Sequence, residues 1–148
     1  MKYLIYNILA LIIFTGCSGD DTSFDNPNLI EPGFSYTINL NLPQYASLSN
    51  PGTAVYVNNS NVGIRGVFVF NTGSGSYVAW EASCPNHRPN DCSTMQLVDG
   101  VFCECSCEDY KYELAGGALV TEFKGEGRAY TLQPYRVTTN NNIIKISN

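Results

Sequence analysis

The chain has 148 residues, room for one domain of ordinary size. Its formal charge is −5 with 14% charged residues and no basic patch, which argues against nucleic acid as a partner. No stretch shows helical periodicity, while β-rich runs and turn residues recur throughout, so the domain is expected to be all-β.

Residues 1–16, MKYLIYNILALIIFTG, place Lys2 ahead of an apolar run from Ile8 to Phe14 and then small residues. This reads as a secretory signal peptide, too short and wrongly flanked for a spanning helix. Thr15-Gly16-Cys17 resembles the lipobox of bacterial lipoproteins, which implies cleavage and acylation at Cys17, although Phe14 departs from that pattern. The alternative is a plain cleaved signal with Cys17 as an ordinary thiol. Ser18-Gly19-Asp20-Asp21 resembles the surface-export signal of lipoproteins in the Bacteroidetes group. Together these imply an outer-membrane lipoprotein, surface-exposed or facing the periplasm, whose membrane contact is the lipid on Cys17. Residues 17–33 are polar and contain Pro27 and Pro32, which reads as a flexible tether before a domain at 34–148. Loss of Lys2 with the leader takes the charge to −6, and four tether acids (Asp20, Asp21, Asp25, Glu31) leave the domain near −2.

Within the domain, Phe34–Leu42 alternates apolar and polar residues with a period of two. Short β-rich runs follow at Thr53–Val57, Ile64–Phe70 and Ser76–Ala82, separated by Gly52, Gly63 and the Asn71–Gly75 cluster. Asp99-Gly100 between Val98 and Val101 is a strong hairpin signal. Tyr135–Thr139 and Ile143–Ile146 flank Asn140-Asn141-Asn142, a second hairpin candidate. Eight to ten short strands at such spacing predict an antiparallel sandwich or barrel-like fold.

Five cysteines remain after Cys17: Cys84, Cys92, Cys103, Cys105 and Cys107. In an exported chain disulfides are the default, and the odd number leaves at least one thiol free, metal-bound or paired with another molecule. The cysteines fall in two loops, SCPNHRPNDC (83–92) and VFCECSCEDYKY (101–112). In the first, Cys84 and His87 stand at a Cys-x-x-His spacing that can put thiolate and imidazole on one metal. If 103–107 is extended, Cys103, Cys105 and Cys107 face one side at intervals of roughly 6.6 Å. Neighbours in that row are too far apart to bond each other, so their partners must lie in the first loop.

CSCEDYKYELAGGALV (105–120) resembles the second ligand loop of Rieske iron–sulfur domains, a segment such as CPCHGSRFDLATGAVV. Cys105 falls on the cluster cysteine, Cys107 on the second cysteine, Tyr112 on the aromatic and Gly117 on the turn glycine. The Val98–Val101 hairpin, Tyr130–Val137 and Ile143–Ile146 extend the match over roughly residues 76–147. The resemblance implies a Rieske-like antiparallel fold with a small loop-bearing cluster subdomain. It also implies a [2Fe–2S] centre, in which two cysteines hold one iron and two histidines the other. This chain offers Cys84 and Cys105 for the first iron, but only His87 and Glu108 for the second. Asn86 stands where the first histidine should be, Glu108 stands in place of the second, and His87 is the only histidine in the chain. A third option is a mononuclear zinc or other metal on Cys84, His87 and Cys105.

Without iron, a vacated cluster site is expected to close as a Cys84–Cys105 disulfide. The resemblance further implies that Cys92 and Cys107 staple the two loops, leaving Cys103 free and buried. Glu104, Glu108, Asp109 and Glu113 read as a solvated acidic rim, and Trp80 with the tyrosines as core and sheet-face residues. There is no nucleophile motif, no phosphate loop and no defensible triad, so no enzymatic activity is expected. Two readings compete. The favoured one is a disulfide-stapled structural or interaction module at the cell surface, with a protein partner that the sequence does not name. The other is an electron carrier or redox sensor with an altered cluster.

Overall fold

The structure is a computed structural model that describes residues 26–30 and 32–148. The signal peptide, Cys17, the acidic run and Glu31 lie outside the described residues, and among those described no helix is long and apolar enough to cross a membrane. Every paired strand is antiparallel. The larger sheet contains β1 (Ser35–Asn39), β2 (Ala54–Val57), β3 (Val67–Gly73), β4 (Ser76–Glu81), β8 (Pro134–Asn140) and β9 (Ile143–Ser147), in the order β1-β9-β8-β4-β3-β2. The smaller is a three-stranded sheet, β5 (Gln96–Val98), β6 (Phe102–Glu104) and β7 (Lys111–Glu113), inserted between β4 and β8.

Strand β3 organises the core because its period of two buries both faces. Val67 and Val69 point into a cluster with Ile38, Leu48, Ile144 and Ile146, whereas Phe68 and Phe70 point to the other side. There they meet Trp80, Met95, Tyr112, Leu114 and the three cysteines Cys84, Cys103 and Cys105. The three free thiols among the described residues therefore belong to the hydrophobic core between the sheets. Trp80 joins the two units by donating its indole N–H to the Leu114 carbonyl at 2.8 Å. Gly117 (φ +77°) lies so close to that ring that a Cβ would sit 2.9 Å from it, which explains the glycine at the turn position.

Local boundaries differ from the sequence expectation for identifiable reasons. Strand β1 ends at Asn39, short of Leu42, because Asn39 caps a turn onto Asn41 N and Pro43 opens a 3-10 helix (Pro43–Ser49). The run at Ile64 becomes strand only at Val67, because the N–H groups of Ile64 and Arg65 are taken by the Glu81 carboxylate at 2.7 and 2.9 Å. Both hairpins form where expected, with Asp99, Gly100 and Asn141 left-handed (φ +52°, +74° and +51°).

Part of the expected tether belongs to the folded unit. Asn26 and Leu29 are buried, and the amide groups of Asn26 and Asn28 both donate to the Pro85 carbonyl at 2.9 Å. Two polar side chains, invisible to a composition-based reading, thereby pin the segment to the first cysteine loop.

Candidate metal centre

The first loop leaves β4 through Ala82 and Ser83, and Cys84 is held by its N–H donating to the Ser93 carbonyl at 2.9 Å. Pro85 and Asn86 follow. The Asn86 side chain donates to Tyr112 OH (2.7 Å) and the Tyr130 carbonyl (2.9 Å), and accepts from Tyr130 N–H (2.8 Å). At the position where a Rieske domain carries its first histidine, this chain has a residue that bolts the loop to its surroundings. The extra residue carries His87 forward to the second loop.

The second loop does not continue β6. The strand ends at Glu104, and the chain turns sharply, with Asp109 N–H donating to the Cys105 carbonyl at 3.0 Å and Asp109 left-handed (φ +57°). The expected extended row of three thiols is thus corrected. Cys103 and Cys105 remain buried, but the turn throws Cys107 outward, where it forms a disulfide with Cys92. Cys103 is a free thiol against the Met95 sulfur at 3.9 Å.

The expected Cys84–Cys105 bridge is also corrected: both are free thiols. They belong to a group of four donors, Cys84, His87, Cys105 and Glu108, whose ligand atoms all lie within 4.8 Å of one another. Cys105 Sγ is 3.3 Å from His87 Nε2 and 3.2 Å from Glu108 Oε2, and those two atoms are 3.2 Å apart. The sulfur is therefore engaged by His87 and Glu108 at hydrogen-bonding distance rather than covalently by Cys84. Cys84 Sγ has Tyr112 OH on its other side at 3.7 Å.

These contacts set the charge of the site. The Cys84 thiol donates to the Cys105 sulfur and, with help from His87, holds Cys105 well below the ordinary thiol range. The same bond, together with burial, pushes Cys84 up. Burial pulls His87 down, but Cys105, the Arg88 carbonyl and Glu108 outweigh it and raise the imidazole. Glu108 is raised by burial and by its bond to Cys105.

The donor types suit a metal, but their spacing is not that of a two-iron cluster. Two irons and two bridging sulfides would have to lie between the cysteine pair and the His87–Glu108 pair. Here His87 Nε2 and Glu108 Oε2 are each in contact with Cys105, so a cluster requires the two pairs to separate. The four residues that the structure brings together are the ones named from the sequence as candidate ligands. Sequence reading missed Asn86, Ser93 and Tyr112 as the groups that fix them; the one available hint was that Asn86 displaces a ligand.

A comparison with protein-family models and another with curated proteins found no match. Among solved structures, a chain from the complex of reduced oxygenase and oxidized ferredoxin in carbazole 1,9a-dioxygenase is similar at 17% identity and a TM-score of 0.47, covering 76% of this chain and 92% of that one. The ferredoxin of carbazole 1,9a-dioxygenase from Nocardioides aromaticivorans IC177 is similar at 15% and 0.41, covering 66% and 86%. The Sphingomonas yanoikuyae B1 ferredoxin is similar at 18% and 0.42, covering 69% and 93%. The resemblance to Rieske domains lies in the two cysteine loops and the small sheet that carries them.

Proposed function

We propose that the chain is an exported, lipid-anchored Rieske-like domain that acts as a structural or interaction module at the outer membrane rather than as a cluster carrier. The observation that carries this reading is the contact of His87 Nε2 and Glu108 Oε2 with Cys105 at 3.3 and 3.2 Å, which leaves no gap for a cluster between the ligand pairs. The Cys92–Cys107 disulfide does the work of holding the loops together. Anchoring through Cys17 would keep the domain close to the membrane: the eight residues between Cys17 and Asn26 span at most about 30 Å when extended. The surface-facing orientation follows the acidic run after Cys17, with the periplasmic face as the alternative.

A second reading, electron transfer or redox sensing through an altered [2Fe–2S] cluster, is favoured by the two unbridged buried thiols Cys84 and Cys105. The test is to produce the full chain under conditions that support cluster assembly and to measure iron, acid-labile sulfide and free thiols on one sample. No sulfide with free thiols remaining supports the module. Two irons and two sulfides per chain overturn it.

A further inference from the structure

We infer that Cys84 Sγ, His87 Nε2, Cys105 Sγ and Glu108 Oε2 form a closed four-coordinate site for one divalent cation of the zinc class. The inference rests on the reading above that no cluster fills the loops. Four lines of observation converge on it.

The first is distance. Around one tetrahedral zinc, with bonds of about 2.3 Å to sulfur and about 2.0–2.2 Å to nitrogen or oxygen, neighbouring donors stand roughly 3.4–3.7 Å apart. The observed edges are 3.3 Å (Cys105–His87), 3.2 Å (Cys105–Glu108) and 3.2 Å (His87–Glu108), and the remaining ones stay within 4.8 Å. Adjustments of up to about 1 Å along the edges to Cys84 would seat an ion.

The second is the orientation of the histidine. His87 Nδ1 lies 3.0 Å from the Arg88 carbonyl oxygen, an acceptor only, so Nδ1 must carry the proton of the neutral ring. That leaves the Nε2 lone pair facing Cys105 Sγ and Glu108 Oε2. Ser93 Oγ stands 3.4 Å from the same Nδ1 and is itself fixed by Asn90. A backbone carbonyl behind the ring is the usual outer support of a zinc-bound imidazole.

The third is enclosure. Cys84 and Cys105 are fully buried, and the His87 side chain is 16% exposed, whereas that of Glu108 is 37% exposed. An ion would enter past Glu108, which closes the site behind it. The fourth is the donor set itself. Two soft thiolates and a borderline imidazole outweigh the one hard carboxylate, and the set suits zinc better than magnesium or calcium. With both thiols ionised and Glu108 charged, a divalent cation offsets negative charge that would otherwise be held among apolar core residues.

The test uses the full chain, purified in detergent, stripped with a chelator and titrated with Co²⁺. The expected result is one cobalt per chain, thiolate-to-cobalt charge-transfer bands with tetrahedral d–d bands, and displacement by one equivalent of Zn²⁺. Ser93→Ala should weaken Co²⁺ about 10-fold, and His87→Ala and Glu108→Ala should each weaken it further, by about 100-fold or more. Glu104→Ala should leave binding unchanged, because its carboxylate faces Lys111 (3.4 Å) outside the site. A folded wild-type chain with three reactive thiols and no cobalt bands overturns the ion site while leaving the stapled module standing. Undiminished binding by Glu108→Ala overturns four-fold coordination. Iron with sulfide overturns both proposals.

Discussion

Glu108 Oε2 lies 3.2 Å from Nε2 of His87, so a carboxylate meets the imidazole across the two loops where a Rieske domain would carry a second imidazole. The substitution does more than delete a ligand. Here the glutamate touches both His87 and Cys105. The loops consequently stand closer together than a cluster would let them.

The Cys92–Cys107 disulfide spans 15 residues and is the single covalent link between the two loops among the described residues. Replacing the pair by serine should lower unfolding stability by about 3 kcal/mol, from the loop-closure entropy restored to the unfolded chain. Urea denaturation of the double variant measures this, and a change below about 0.5 kcal/mol would show that the loops are held by other contacts.

Gly117→Ala places a methyl group against the Trp80 ring and forces an L-residue to φ +77°. Both effects oppose folding, and a loss of about 2–4 kcal/mol is expected. Trp80 is the sole tryptophan, so its fluorescence reports the altered packing directly. An unchanged urea midpoint would mean that the subdomain does not depend on this close approach.

The Glu81 carboxyl accepts from Ile64, Arg65 and Ser83 N–H and from Tyr135 OH, yet burial outweighs these donors and raises it. A carboxyl raised in the folded state supports stability most below its unfolded value. That support is lost as pH rises through the folded value, because the charged form is the one penalised by burial. Relative to Glu81→Gln, which does not titrate, the wild-type chain should therefore lose stability between mildly acidic and neutral pH. Urea midpoints of both proteins across that range decide the matter; a relative gain on raising the pH would show that the four donors prevail.

Asn26 and Asn28 each give an amide hydrogen bond to the Pro85 carbonyl. Replacing both by alanine should cost about 1–3 kcal/mol locally and release the N-terminal segment. Hydrogen exchange should then rise at Leu29, whose N–H bonds to the Asn26 carbonyl, while the core strands stay protected. Equal exchange in variant and wild type would show that the segment is not held by these side chains.

How much of this was legible in the residues varies with the kind of force involved. Period-two burial set the β class, and Asp99-Gly100 and the Asn140–Asn142 run marked the hairpins, because both signals are local. The grouping of Cys84, His87, Cys105 and Glu108 was legible, the first two from their Cys-x-x-His spacing and the last two from the resemblance to a Rieske loop. The thiol pairing was only half legible. Cys92 and Cys107 bond because the turn at Cys105–Asp109 swings Cys107 outward, whereas strand geometry would have kept it in line with Cys103. The Cys84–Cys105 bridge was inferred from two thiols without metal, and His87 and Glu108 instead occupy the second thiol. The docking of Asn26 and Asn28 on Pro85 was not legible at all, since it depends on a carbonyl 57 to 59 residues away.

The central claim, loops closed by one disulfide around a single-ion site rather than a cluster, is tested most directly by native mass spectrometry of the intact chain as isolated. The account predicts the mass of the mature chain with one disulfide and one bound zinc, reverting to the three-thiol apo mass after chelation. A mass increment matching two irons and two sulfides would contradict it.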